Sequence, residues 1–117
     1  MVITEFGKLI RKARLDAEIT LSNMASDLGV TSAFLSSLET GRKRIPDDWP
    51  SRVEQYFISH GIKIHGLQEA ADIANQSVPL DGLSLDHQRL VAGFARTKPN
   101  VQQLERLQEL LAEIKNT

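Results

Sequence analysis

The sequence contains no cysteine among its 117 residues, so disulfide bonds and thiolate metal sites are both excluded. Aromatic residues make up only 5% of the chain, whereas hydrophobic residues together make up 41%, so a core must be mostly aliphatic. No stretch approaches the roughly 20 consecutive apolar residues that a membrane-spanning helix needs. The first residues form an amphipathic pattern rather than the apolar run of a signal peptide. The sequence therefore predicts a soluble, cytoplasmic protein.

The patterns of catalytic and metal sites are missing as well. The sequence has neither a Gly-x-Ser-x-Gly turn nor a glycine-rich loop that could hold a phosphate group. His60 and His65 are five positions apart, which puts them on different sides of a helix, and His87 stands alone, so no metal site is expected. We therefore expect a protein that is not an enzyme and holds no cofactor.

The net charge is −1, but the charged residues are distributed unevenly. Positions 1–45 contain seven Lys or Arg against five Asp or Glu, a balance of +2. Positions 46–117 contain seven against ten, a balance of −3. The asymmetry is modest and is not that of a polybasic tail, but it concentrates positive charge in the first part of the chain.

The segment from Leu21 to Arg44 has the pattern of two short helices, a tight turn between them and a basic loop after them. One apolar face is formed by Leu21, Met24, Ala25 and Leu28. Thr20 and Thr31 can cap the two helices, and Gly29 can end the first one in the left-handed conformation. This combination is typical of a helix-turn-helix.

Apolar periodicity and capping residues predict five more helices. They are expected at 4–18, at 47–59, from Leu67 to Ala74, after Ser84, and after Asn100. Asp47 and Asp48 precede the helix at 47–59, where carboxylates can cap free amides. Asn100 and Gln103 resemble a capping box. Between positions 75 and 83 the periodicity is lost and Pro and Gly occur, which predicts the boundary of the compact unit.

The last predicted helix carries a short leucine-rich stripe. The residues at heptad a and d positions are Leu104, Leu107, Leu111 and Ile114. The stripe covers only about two heptads, which excludes a long coiled coil. These residues can pack either within the chain, in a helical hairpin, or across a dimer.

Residues 4–75 resemble the five-helix DNA-binding domain of the XRE (Cro/lambdoid phage repressor) family. The resemblance rests on Arg14, on the segment MASDLGVTSAFLSSLETG and on a basic loop closed by Pro46. It implies an all-α fold, with a five-helix lambda-repressor-like domain at 1–75 followed by a helical hairpin, the dimerisation or partner region, at 76–117. It also implies a buried, structural ion pair between Arg14 and Glu39.

In this family the start and middle of the third helix read DNA bases. The corresponding residues are Ser32, Ala33 and Ser37, with Phe34 and Ser36 nearby. Hydroxyl groups can bond to either base type, and Ala or Phe can touch a thymine methyl group. The Gln or Arg that usually makes bidentate base contacts is missing, so specificity is expected to depend on dimer geometry, groove shape or bridging water.

Six residues flank the third helix on the side expected to face the duplex. They are predicted to contact phosphate groups: Thr20, Thr31, Thr40, Arg42, Lys43 and Arg44. Such contacts position a protein on DNA without carrying sequence information.

The resemblance therefore implies a bacterial transcriptional regulator, in particular a homodimeric repressor that places helix 31–40 in the major groove of a palindromic operator. A different reading is an antitoxin or accessory protein that binds a protein partner, such as a toxin, through its C-terminal helices, with autoregulatory DNA binding. A third interpretation is a degenerate domain that no longer binds DNA, in which the serine-rich helix is only a solvated surface.

Overall fold

The structure is a computed structural model that describes residues 2–117. Every regular element in these residues is an α-helix, which confirms the predicted all-α class. The seven helices are α1 (Glu5–Ala17), α2 (Leu21–Leu28), α3 (Ser32–Glu39), α4 (Trp49–Ile58), α5 (Leu67–Asn75), α6 (Leu85–Ala95) and α7 (Val101–Lys115). They form two compact units, the first ending at Val78 and the second running from Pro79 to Thr117.

The first unit has a single hydrophobic core, to which each of α1 to α5 contributes. Its larger buried apolar residues are Phe6, Ile10, Met24, Leu35, Leu38, Ile45, Trp49, Val53, Tyr56, Phe57 and Leu67. In α1, α3 and α4 these residues include pairs three or four positions apart, because that spacing returns a side chain to the same face. The core is thus closed by the faces that apolar periodicity predicted.

Side-chain caps define the ends of the helix-turn-helix. Thr20 Oγ1 accepts a hydrogen bond from the Asn23 amide at 3.0 Å, and Thr31 Oγ1 accepts one from the Phe34 amide at 3.0 Å. Gly29 has a φ of +73°, the left-handed conformation in which its amide bonds back to α2 carbonyls. The three capping predictions for this segment are confirmed.

The start of α4 differs from the prediction. Asp48 is the residue before the helix, but its carboxylate makes no capping hydrogen bond, and the prediction of an aspartate cap is wrong. The reason is its backbone, which has φ −84° and ψ −10° instead of the extended conformation that directs a side chain to the first amides. Asp47 pairs with Arg44 at 3.2 Å instead.

α1 and α3 are in backbone contact at Gly7. A Cβ on residue 7 would lie 2.2 Å from the Glu39 carbonyl oxygen. The same carbonyl accepts hydrogen bonds from the Thr4 amide at 3.1 Å and from Thr4 Oγ1 at 3.0 Å. The start of α1 is therefore held on the end of α3, and only glycine fits at the contact.

α2 and α4 are joined by a hydrogen bond from the Tyr56 hydroxyl to the Asp27 carboxylate at 2.7 Å. Burial of the phenol, together with this hydrogen bond, raises the pKa of Tyr56 to about 12. Tyr56 therefore remains a protonated donor well above neutral pH.

The second unit consists of α6 and α7. Ser84 caps α6, and Asn100 and Gln103 form the predicted capping box at the start of α7. Neither helix contains a buried residue. The local signals for these helices are thus satisfied, while their apolar faces remain exposed.

None of the helices in residues 2–117 combines the length and the apolar character needed to cross a membrane.

Replacing Gly7 with alanine is expected to lower the free energy of unfolding of the first unit by about 1–3 kcal/mol, the usual effect of overpacking. The added methyl group would meet the Glu39 carbonyl, so α1 or α3 must shift. Denaturation followed by the fluorescence of Trp49, the only tryptophan, reports this unit directly. Lys8→Ala is the control, because Lys8 is exposed on the same helix and its replacement should change stability by less than about 0.5 kcal/mol. Equal stability of the two variants would contradict the backbone contact.

Candidate nucleic-acid interface

The outer face of α3 carries four of the five residues predicted to face DNA bases. Leu35 and Leu38 are buried and orient the helix on the core. Because an α-helix has 3.6 residues per turn, one set of residues lies on the side opposite these leucines. That set is Ser32, Ala33, Ser36 and Ser37. Ser32 and Ala33, in the first turn, are the most accessible of them, whereas the two later serines are half-buried.

Phe34 lies on the other side of α3. Its ring packs edge-on against Trp49, with 5.5 Å between ring centres and 87° between the planes. It is half-buried against the core. The structure therefore gives Phe34 a packing contact, whereas its base-facing role stays a prediction from the sequence.

Two of the hydroxyl groups at the end of α3 donate to the helix itself. Ser37 Oγ donates to the Phe34 carbonyl at 2.6 Å, and Thr40 Oγ1 donates to the Ser36 carbonyl at 2.8 Å. A hydroxyl has one proton and two acceptor sites, so Ser37 and Thr40 are left as acceptors. Ser32 and Ser36 make no side-chain hydrogen bond to any of residues 2–117, so their protons can be donated outward.

The availability of the hydroxyl proton also distinguishes the three threonines predicted to contact phosphate groups. A phosphate oxygen can only accept a hydrogen bond, so a threonine that binds it must donate its proton. Thr20 Oγ1 donates its proton to Asn23 Oδ1 at 2.7 Å, and Thr40 donates its own to Ser36. Thr31 Oγ1 accepts from the Phe34 amide and keeps its proton available. Of the three, Thr31 is best placed to bind a phosphate group without losing an internal hydrogen bond.

The basic loop is anchored on the end of α3. The amides of Arg42 and Lys43 both donate to the Ser37 carbonyl, at 2.9 and 3.2 Å. Gly41 allows the chain to reverse at this point, with a φ of +77° that a side chain would strain. The cationic residues of the loop are thereby positioned beside the outer face of α3.

The three cations of the loop have different surroundings. Lys43 Nζ lies 5.4 Å from the centre of the Phe34 ring, a cation–π contact. Arg44 donates to Ser77 Oγ at 3.0 Å and pairs with Asp47 at 3.2 Å. Arg42 is exposed, and its guanidinium contacts no acidic group in the described part of the chain. A carboxylate beside Arg44 repels phosphate, so Arg42 and Lys43 are the stronger candidates.

Asn75, at the end of α5, holds the loop from the other side, a role that sequence reasoning missed. Its Oδ1 accepts from the Ile45 amide at 2.8 Å, and its Nδ2 donates to the Ile45 carbonyl at 3.0 Å. Ile45 itself is buried in the core. The side-chain amide thus satisfies both backbone groups of one loop residue. No local pattern indicates this, because the two residues are 30 positions apart.

Arg52 is a second residue that the sequence analysis did not identify. Its Nη2 donates to the Leu28 carbonyl at 3.1 Å, at the end of α2. Its guanidinium also lies 4.5 Å from the centre of the Trp49 ring. The spacing of Arg52 one turn after Trp49 is the only sequence signal for this contact. Arg52 therefore braces the turn between α2 and α3 against α4.

Arg14 and Glu39 form a bidentate ion pair inside the first unit. Nη1 lies 2.6 Å from Oε2, and Nη2 lies 3.0 Å from Oε1. The side chains are 10% and 2% exposed, so both charges are removed from water. Arg11 Nε approaches the same carboxylate at 3.5 Å from the surface. The pair joins the end of α1 to the end of α3.

The residues predicted to form a dimer or partner contact remain exposed on α7. Leu104, Leu107, Leu111 and Ile114 are 42%, 41%, 49% and 60% exposed, respectively. The sequence left two possibilities for these residues, packing within the chain or across a dimer. Packing within the chain still leaves about half of each side chain in water. A contact with another molecule remains available to all four.

The histidines are not assembled into a site. His60 follows the end of α4, and its Nδ1 lies 2.9 Å from the carbonyl oxygen of Tyr56, four residues earlier. No group of three or more His, Cys, Asp or Glu side chains that could hold a metal ion occurs among residues 2–117.

Comparisons with protein-family models, with curated proteins and with solved structures found no match to this chain.

Replacing Glu39 with glutamine is expected to destabilise the first unit by about 3–5 kcal/mol, because Arg14 would keep a buried charge without a partner. Adding Arg14→Met should recover part of that loss, since the unpaired charge is then removed. Unfolding followed by Trp49 fluorescence measures both effects, with Glu5→Gln on the exposed start of α1 as the control. A double variant whose loss of stability equals or exceeds the sum of the losses in Glu39→Gln and in Arg14→Met alone would argue against the pair.

Asn75→Ala should free the basic loop while leaving the core in place. Two hydrogen bonds to Ile45 are lost, and its buried N–H and C=O groups lose their partners, at an expected cost of about 1–3 kcal/mol. Hydrogen exchange should show faster exchange of the Ile45 amide, with the amides of α1 unchanged. Ile73→Ala is the matched control, because Ile73 is exposed on the same helix. The same Ile45 exchange rate in both variants would overturn the assigned role of Asn75.

Proposed function

We propose that this chain is a sequence-specific double-stranded DNA-binding transcriptional regulator of the XRE (Cro/lambdoid phage repressor-like) kind, acting as a homodimeric repressor. In this proposal α1 to α5 form the lambda-repressor-like domain, and α6 and α7 form the C-terminal hairpin. Each copy would place α3 in the major groove, with two half-sites about one helical turn apart. Covering a promoter would then block transcription.

The observation that carries the proposal is the composition of one surface. The outer face of α3 presents Ser32, Ala33 and Ser36, none of which is needed for the core. The anchored loop with Arg42 and Lys43 adjoins the same helix. A helix that presents small residues beside a cationic loop fits a major groove, where phosphate groups flank the base edges.

Base recognition by this surface would be modest. Serine hydroxyls make single hydrogen bonds and accept either base type, while Ala33 can contact a thymine methyl group. Phe34 would contribute less to readout than Ala33, since its ring packs against Trp49. Affinity would therefore depend mainly on phosphate contacts and on the pairing of two half-sites, with groove shape adding specificity.

The alternative is an antitoxin or accessory protein that binds a protein partner, such as a toxin, through α6 and α7. Exposed leucines on α7 support an interaction of some kind. They are equally suited to a second copy of the chain. The DNA-binding hypothesis also explains the cations of the loop and the small residues on the outer face of α3, and for that reason we prefer it.

Replacing Arg42 with alanine should weaken DNA binding to all sequences and lower the slope of log affinity against log salt by about one. The matched control is Lys12→Ala, which removes an equal charge from α1, where Lys12 lies beside Ile62 and Ile64 instead of α3. Binding is measured by fluorescence anisotropy at several salt concentrations, on DNA selected from a random pool. Replacing Ser32 should instead change the preference among sites. Failure of the wild-type protein to bind any duplex at low salt would refute the proposal.

A further inference from the structure

An open groove of about 760 Å³ runs between α6 and α7. Leu90 and Phe94 form its apolar wall on α6, and Leu107 and Leu110 form the wall on α7. No residue of Pro79–Thr117 is buried, so these side chains stay accessible. Helices of this length take most of their stability from burying an apolar face. The groove therefore presents an apolar surface that another molecule can cover.

The rim of the groove is cationic. Positions 79–117 contain five basic and five acidic residues, so this segment has no net charge. Three of the basic residues line the groove: Arg89 on α6, Lys98 in the turn after α6, and Arg106 on α7. None of the five acidic residues lines it. An electrically balanced unit thus concentrates positive charge around its apolar groove.

These cations remain able to bind an anionic group. Lys98 and Arg106 take part in none of the ion pairs among residues 2–117. Arg89 lies 3.9 Å from Asp86, but the two side chains are 70% and 93% exposed. Such an exposed pair contributes little, so Arg89 can exchange Asp86 for a carboxylate brought by an occupant.

The charge of the groove disfavours a second copy of α7 as its occupant. Glu105, Glu109 and Glu113 recur every four positions, on the side of α7 opposite its leucines. A copy that inserted its leucines would therefore turn these carboxylates away from the cations. It would also bring its own Arg106, which lines the groove beside Leu107, to a rim that is already positive.

The open shape favours a helix over other anionic occupants. Sites for small molecules enclose most of the ligand, whereas this groove is open to solvent. An extended peptide would lie in an apolar groove with unpaired backbone groups, while a helix satisfies its own. The flat surface of a bilayer does not enter a groove between two helices.

Gly93 is a second observation that points to a helix in the groove. Glycine is unfavourable in a helix interior compared with alanine, yet Gly93 lies within α6 and lines the groove. A Cβ there would meet no atom within 4 Å, so no contact in the described part of the chain requires glycine. Without a side chain at this position, the backbone of an occupant can approach α6 closely.

We propose that the α6–α7 groove binds an acidic amphipathic helix of a different protein. The apolar stripe of that helix covers the leucines and Phe94 of the two walls, and carboxylates on both sides of the stripe pair with the three cations. The inference goes beyond the proposed function, because neither DNA nor dimerisation enters it. It supplies the chemistry of a partner, which the alternative function leaves open.

Fluorescence anisotropy of a labelled synthetic peptide, titrated with the full chain, tests the proposal. The peptide is a helix of about 15 residues, the length of α7, with leucines on one face and glutamates on both flanks of that face. A second peptide carries lysine at every glutamate position. The acidic peptide should bind at least about tenfold more tightly at low salt and should lose affinity as salt is added. Equal binding of the two peptides, or binding of neither, would overturn the proposal.

Reversing one charge of the rim should reverse the preference in part. Arg106→Glu is expected to weaken binding of the acidic peptide roughly fivefold or more and to strengthen binding of the lysine peptide, because an attraction becomes a repulsion. Arg96→Glu is the matched control, since Arg96 is exposed after α6 and does not line the groove. Equal effects of the two variants would show a response to net charge alone and would contradict a site in the groove.

A second pair of variants tests the floor of the groove. Gly93→Glu places a carboxylate and a side chain inside it and should abolish binding of the acidic peptide. Ala92→Glu adds the same charge one position earlier, outside the lining, and should preserve binding. Trp49 fluorescence and circular dichroism verify that the first unit and the helices persist in each variant. Loss of binding in both variants would count against the groove.

The remaining occupants have their own tests. Sedimentation equilibrium of the chain without peptide would assign the groove to a second copy if self-association were lost in Gly93→Glu and kept in Ala92→Glu. Vesicles of anionic phospholipid that bind the wild type but not Arg106→Glu would assign it to a membrane surface. Either result would overturn the proposal.

The outcome is separate from that of the proposed function. A chain that binds the acidic peptide with the expected variant effects but binds no duplex would refute DNA binding alone. A chain that binds selected DNA but neither peptide would refute the helix-binding groove alone.

Discussion

The first unit depends on how the end of α3 is bound to α1, and Glu39 makes both parts of that connection. Its carboxylate receives the buried guanidinium of Arg14. Its backbone carbonyl receives two hydrogen bonds from Thr4 and passes against Gly7. One residue thus contacts both ends of α1. Because a buried charge without a partner is strongly unfavourable, this arrangement tolerates little displacement of α3.

Rigidity of α3 matters for the surface it presents. A helix with only small residues on its outer face cannot correct an error in position with long flexible side chains. Three sets of contacts hold α3 in place. Glu39 binds α1, Phe34 packs against Trp49, and the loop amides donate to the Ser37 carbonyl. Asn75 extends the same constraint to the loop by binding both backbone groups of Ile45. The cations beside α3 are then held on a defined backbone instead of a mobile loop.

The two units of the chain differ in where their stability comes from. In the first unit, apolar faces of five helices meet in one core. In the second, capping residues form good helix ends, yet no side chain is buried. Local signals can start and end a helix, but they contribute little stability compared with the burial of an apolar face. The caps of the second unit therefore define its helices, while their apolar faces stay exposed.

Local physical chemistry determined much of this protein from its sequence. Periodicity located seven helices, and the caps Thr20, Thr31, Ser84 and Asn100 were predictable because a cap and the amide it binds lie within three residues of one another. Only the tertiary structure assigned Phe34 to packing, gave Asn75 and Arg52 their roles, and showed that Gly7 is required by a carbonyl over 30 positions away. Each of these depends on segments that meet only in the folded chain, and no local spacing records which residues meet. The aspartates before α4 failed as caps for a related reason, since the loop conformation around them is set by its anchors on α3 and α5.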